Sequence, residues 1–125
     1  MNSVVIVAGG SGSRMKSEIP KQFMEINDKP LILWTIDKFL LFDKQMKIIV
    51  VLPENHFIIW QAIINKYPEY KGLKVCRGGA SRFHSVKNGL DHISENEIVG
   101  IHDAVRPLVS VDNIERYYIM DAKKD

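Results

Sequence analysis

A single cysteine, Cys76, in 125 residues leaves no partner for an intrachain disulfide and excludes a CxxC metal knuckle. It is compatible with a reducing compartment. Charge of one sign is equally scarce: 17 Lys and Arg stand against 15 Asp and Glu, a formal net charge of +2. No long block of like charges occurs, so composition supplies no footprint for DNA, RNA or an anionic membrane. Any anion the chain binds is expected to be small and held locally. No apolar run approaches the roughly 20 residues needed to span a bilayer, and the opening MNSVVIVAGG lacks the basic n-region of a signal peptide. A soluble, cytoplasmic protein is the expectation. Repeats, low-complexity tracts and linkers are missing too, so residues 1–125 read as one folding unit. Its 46% apolar and 26% charged residues match those of chains that fold.

What is present is an alternation of short β-branched runs and amphipathic stretches. Residues 4–7 form an uninterrupted apolar run ending in Ala8-Gly9-Gly10, the pattern of a strand buried on both faces of a parallel sheet. Pro30 fits the first turn of a helix reaching about Phe42, with Leu31, Trp34 and Leu41 on a wide apolar face. KIIVVL at 47–52 reads as a second strand closed by Pro53. Phe57, Trp60, Ile63, Ile64 and Tyr67 recur at helical spacing, which predicts a helix over 55–67 that stops before Pro68. A third strand is expected at 73–76, a third helix marked by Val86, Leu90 and Ile93, and a fourth strand at 97–101. Ser110 can cap a fourth helix carrying Ile114, Tyr117 and Tyr118. This β-α order predicts an α/β fold, a mostly parallel sheet with helices on both faces. Ligands of such sheets bind beyond the carboxyl ends of the strands. Three of those ends carry unusual residues, at 9–14, 77–82 and 102–107.

The glycine-rich loop after the first strand admits three phosphate-binding readings. A Walker A loop needs Gly-Lys-Ser/Thr, and no such tripeptide occurs. The dinucleotide fingerprint begins at Gly10-Ser11-Gly12 but meets Met15 where its third glycine belongs. The third reading uses the cations that follow. Gly9, Gly10 and Gly12 let main-chain N–H groups approach an anion, Arg14 can fork onto phosphate oxygens, and Lys21 adds a mobile point charge. That set suits a triphosphate attacked at phosphorus.

AGGSGSRM followed by PKQF, with GGASRFHSVKNGL at 78–90 and HDAVRP at 102–107, resembles the three ordered motifs of the sugar nucleotidyltransferases, and among them of the cytidylyltransferases that act on polyol phosphates. The resemblance covers essentially the whole chain but only the first half of the usual family length. It implies a Rossmann-like sheet of the nucleotide-diphospho-sugar transferase type and a chain that is the N-terminal part of a longer one. Family members continue with further strands, an arm that pairs two subunits as a homodimer, and a later lysine that positions the acceptor. The implied reaction moves CMP from CTP to a polyol phosphate and releases pyrophosphate. A methylerythritol phosphate acceptor is expected first, with ribitol 5-phosphate as the alternative, and a fragment that binds CTP without turnover as a third possibility.

By the same resemblance Arg14 and Lys21 are the catalytic cations, and Ala8, Gly9, Gly10, Gly12, Gly79, Ala80, Ser85 and Ala104 line the nucleotide, with Ala80 limited to main-chain contact. Asp103 is the candidate ligand for Mg²⁺, since one carboxylate plus phosphate oxygens and water can hold that ion. Arg106 faces the acceptor phosphate or braces its loop. A metal-binding Asp-x-Asp, as in sugar-transferring enzymes of related fold, is absent from His102-Asp103-Ala104-Val105. The four histidines fit no HExxH pattern, and an ionised phosphate needs no base, so none is assigned to catalysis. Cys76, Trp34 and Trp60 are read as packing residues.

Overall fold

A computed structural model describes residues 2–8, 20–94 and 98–104. Its sheet contains β1 (Asn2–Val7), β4 (Lys47–Leu52), β5 (Lys74–Arg77) and β6 (Ile98–Asp103), all parallel, in the order β5-β4-β1-β6. Between β1 and β4 lie β2 (Glu25–Ile26), β3 (Lys29–Pro30) and helix α1 (Leu31–Phe42). Helix α2 (Phe57–Lys66) follows β4, and α3 (Arg82–Leu90) follows β5. The expected fourth helix after Ser110 lies outside the described residues.

Alternation along the central strands divides the core. Val4, Ile6, Ile48, Val50 and Leu52 pack with Ile32, Leu33, Ile36 and Phe39 of α1 and with Trp60 and Ile63 of α2. Val5, Val7, Ile49 and Val51 point the other way, toward Val86 and Leu90 of α3. Period-two side-chain alternation thus clads both sheet faces, as the parallel reading requires.

Three local departures from expectation have physical causes. Leu41 is 72% exposed, because the buried stripe of α1 runs through Ile32, Ile36 and Phe39 and Trp34 and Leu41, one heptad apart, lie on the opposite side. Trp34 is half-buried rather than core, and its indole N–H donates to the carbonyls of Ile26 (2.9 Å) and Lys29 (3.1 Å). Finally α3 ends at Leu90, and Ile93 reaches the same apolar cluster from a following turn.

The indole pins an antiparallel ribbon that the apolar pattern did not reveal. β2 and β3 pair through a two-residue turn in which Asn27 and Asp28 have φ of 52° and 65°, the left-handed pair favoured in tight hairpins. Behind the ribbon, Lys29 forms an ion pair with Asp37 and lies 4.8 Å from the Trp34 ring centroid. The Tyr70 hydroxyl donates to Asp37 Oδ1 at 2.6 Å, and the Tyr67 hydroxyl to the Asp28 carbonyl at 2.6 Å.

This clasp has a pH signature. Burial, then the bond to Asp37, pushes the Tyr70 hydroxyl up from 10.0 to about 12. A raised pKa favours the protonated form in the fold, so the added stability is complete below about pH 10 and is lost as pH climbs toward 12. Tyr70→Phe should cost about 2 kcal/mol at pH 8. The deficit should shrink above pH 10, measured by urea unfolding of both proteins across that range. An equal deficit at pH 8 and at pH 11.5 would refute the assignment.

Candidate functional site

The site is built where the four parallel strands end. Ala8, 5% exposed, sits directly after β1, and its N–H donates to the Val51 carbonyl of β4 at 2.9 Å. On the other side of β1, Ala104 is 1% exposed and its N–H donates to the Val7 carbonyl at 3.0 Å. The Ala104 carbonyl accepts from the buried Thr35 hydroxyl of α1 at 2.8 Å. Beyond β5, Gly78 donates to the Leu52 carbonyl at 2.8 Å. Each strand end is thereby tied to its neighbour, which gives the loops beyond them a rigid base.

Of these loops, the one after β5 is described throughout. After β5 the chain passes Gly78 and Gly79, and Ser81 caps α3 by accepting from the His84 N–H at 3.2 Å. The Gly79 N–H donates to the Ser85 hydroxyl at 3.0 Å. A Cβ at Gly79 would stand 2.3 Å from the His84 Cβ, so the turn closes only because this residue has no side chain. Ala80 is exposed beside it. Ser85 therefore has a structural partner within its own loop.

Arg82, the first residue of α3, donates from Nη1 to Asp103 Oδ1 at 2.5 Å. This ion pair joins the loop after β5 to the end of β6, the two outer strands among the described residues. Sequence reasoning singled out Asp103 but gave Arg82 no partner, because nothing in a linear pattern links residues 82 and 103. No cluster of three or more His, Cys, Asp or Glu suited to a metal occurs among the described residues. Asp103 still fits Mg²⁺, which takes one or two carboxylates and completes its shell with phosphate oxygens and water.

Lys21 opens a single 3₁₀ turn, Lys21–Phe23, and is exposed, whereas Gln22 and Phe23 are both 4% exposed. Gln22 Nε2 lies 3.3 Å from His56 Nδ1. Gly9, Gly10, Gly12, Arg14 and Arg106 lie outside the described residues. The structure accordingly brings Ala8, Gly79, Ser85, Asp103 and Ala104 to one end of one sheet and shows the turn that carries Lys21.

The remaining candidates for chemistry are accounted for by packing. His102 meets the Phe39 ring edge-on at 5.1 Å. Burial pushes the Cys76 thiol up, which leaves it mostly protonated and a poor nucleophile. Burial also lowers the His56 pKa, keeping its imidazole neutral.

Comparison with known proteins gives a consistent answer. The family model for 2-C-methyl-D-erythritol 4-phosphate cytidylyltransferase matches residues 2–124. The protein of that name from Phocaeicola vulgatus is 44% identical over 115 residues, covering 92% of this chain and 52% of its own. Its counterpart in Bacteroides fragilis is 45% identical over 118 residues, 94% of this chain and 53% of its own. Among solved structures, 4-diphosphocytidyl-2C-methyl-D-erythritol synthase from Anaerococcus prevotii matches with a TM-score of 0.70 at 27% identity, over 91% of this chain and 47% of that one. The chain spans about half the length of the curated relatives it matches.

Proposed function

This chain belongs to the 2-C-methyl-D-erythritol 4-phosphate cytidylyltransferase family, and from that premise we propose that it supplies the nucleotide side of a transfer of CMP from CTP to 2-C-methyl-D-erythritol 4-phosphate, with release of pyrophosphate, in cytoplasmic isoprenoid synthesis by the non-mevalonate route. The observation that carries the reading is the Arg82–Asp103 ion pair. It draws the loop after β5 and the end of β6 together at the rim where Ala8 ends β1, so that segments remote in sequence share one edge, which supports a nucleotide bound there.

In the reaction an acceptor phosphate oxygen attacks the α-phosphorus in line, and the bond from that phosphorus to the bridging oxygen breaks, releasing pyrophosphate with the electron pair. The nucleophile is already ionised, so the protein's work is to place two anions together and neutralise the charge that grows between them. Lys21 and Arg14 are the cations for that charge. The Gly79 turn and its Ser85 hydroxyl present a narrow, preformed edge for the nucleoside, while Ala8 and Ala104 keep the rim free of bulk. Asp103 would hold Mg²⁺, which when bound neutralises phosphate charge and orients the triphosphate. A homodimer of the full family chain belongs to the same proposal.

Calorimetry with CTP and with ATP, each with Mg²⁺, tests the nucleotide assignment, and CTP alone should bind. Phosphorus NMR of the full-length gene product with CTP then tests the acceptor. Pyrophosphate should appear with methylerythritol phosphate and not with ribitol 5-phosphate; the reverse would move the chain to the ribitol branch. CTP binding without product from either acceptor would leave a nucleotide-binding unit.

A further inference from the structure

Lys21 is a long, exposed side chain on a turn of only three residues, so its reach is set by how that turn is held. Main-chain bonds hold it on one side: Phe23 N–H to Pro20 O at 2.9 Å, Met24 N–H to Lys21 O at 3.1 Å, and Leu31 N–H at the start of α1 to Met24 O at 2.9 Å. On the other side stands His56, 3% exposed, in the short 3₁₀ turn Glu54–His56 that follows β4 and precedes α2. Its Nδ1 is 3.3 Å from Gln22 Nε2, and its ring meets Phe23 edge-on at 5.6 Å. With its amide nitrogen toward the ring, Gln22 donates and His56 Nδ1 accepts.

We propose that the buried Gln22–His56 pair is a positioning device that fixes the orientation of the Lys21 turn against the carboxyl end of β4. The inference rests on the proposed role of Lys21 in nucleotidyl transfer. An apolar pair of like volume would fill the same space without the cost of burying an amide and an imidazole, which must be matched by a well-formed bond. What the polar pair adds is direction. Its bond forms at one rotation of the turn, the rotation that sends the side chain of Lys21 outward while Gln22 and Phe23 point in. Displacing a reacting group by about 1 Å is enough to slow a step about 100-fold, so this bond bears on turnover though it touches no substrate.

The test is a double-mutant cycle in the full-length protein, read as kcat and KM for CTP. Gln22→Met, which keeps the volume and removes the donor, should lower kcat roughly 10- to 100-fold with KM changed by less than about threefold. His56→Gln made on its own, whose amide oxygen can accept the same bond from Gln22, should keep most of the wild-type rate. Lys21→Ala combined with Gln22→Met should be no slower than Lys21→Ala alone. Losses that multiply in the combined variant would overturn the proposal and leave the pair a packing element. His56→Leu, which removes the acceptor instead, repeats the cycle should Gln22→Met not fold, and failure of both to fold would also decide for packing. Wild-type turnover by Lys21→Ala would instead overturn the role of Lys21 itself.

Discussion

Lys21→Ala should lower kcat for nucleotidyl transfer by about 100- to 1000-fold while leaving the thermal midpoint unchanged. The two halves of that expectation come from the same geometry. Lys21 is exposed at the head of its turn, and among the described residues its ammonium makes no hydrogen bond or ion pair. Truncation therefore removes no hydrogen bond or ion pair to the described residues, and surface changes of this kind stay within about 0.5 kcal/mol of wild type. The catalytic loss should be large because, in the proposed reaction, negative charge grows at the α-phosphate and on the departing pyrophosphate, where a preset cation would stabilise the transition state more than the ground state. KM for CTP should accordingly rise much less than kcat falls. Lys21→Arg should recover only part of the rate, since a planar fork does not reproduce a compact charge on a flexible stem. Steady-state kinetics beside a thermal melt checks both halves, and a fall in rate matched by a fall in melting temperature would defeat the argument.

The second large effect is on folding. Gly89 is buried in α3 against the sheet, and a Cβ there would stand 2.5 Å from Val5 Cγ1 and 3.0 Å from Val51 Cγ2. Both valines are fully buried in central strands, where β-branched side chains cannot rotate away. Gly89→Val would gain about 0.5 kcal/mol of helix propensity against an overpacking cost of about 3 kcal/mol, so the clash dominates. Urea unfolding should show a loss of about 2 to 3 kcal/mol, with the midpoint falling and the slope against denaturant unchanged. Wild-type stability would mean that α3 does not lie on the β1–β4 surface. Because Ser81, Arg82 and Ser85 are carried by α3 or its cap, the same variant should weaken CTP binding.

The legible parts of this protein were those written in local patterns. The runs at Val4 and Lys47 showed the central strands because a strand covered on both faces needs unbroken apolar residues, and Trp60 and Ile63 marked the buried side of α2 by spacing alone. The ribbon of β2 and β3 was missed since strands of two residues carry no period, although Asn27-Asp28 held a usable hint in its tolerance of positive φ. Leu41 was assigned to the core by hydrophobicity and lies outside it by phase. At the site, the glycines, Lys21 and Asp103 stood out as residue types at strand ends. The Arg82–Asp103 pair, the Thr35 tie to Ala104 and the Gln22–His56 contact did not, because each depends on which distant segments the fold brings together.

The strand order also determines when the rim can exist. β1 pairs on one side with β4 and on the other with β6, and the pairing of Val4 with Gly100 closes a loop that takes in nearly all of the described chain. Long closures are entropically costly and slow, so β5, β4 and β1 can assemble well before β6 docks beside them. During synthesis β1 leaves the ribosome before β6 and holds one open edge until β6 arrives. The carboxylate of Asp103 thus meets Arg82 only once β6 has docked, and a chain in which it has not has a sheet without the tie between the ends of β5 and β6.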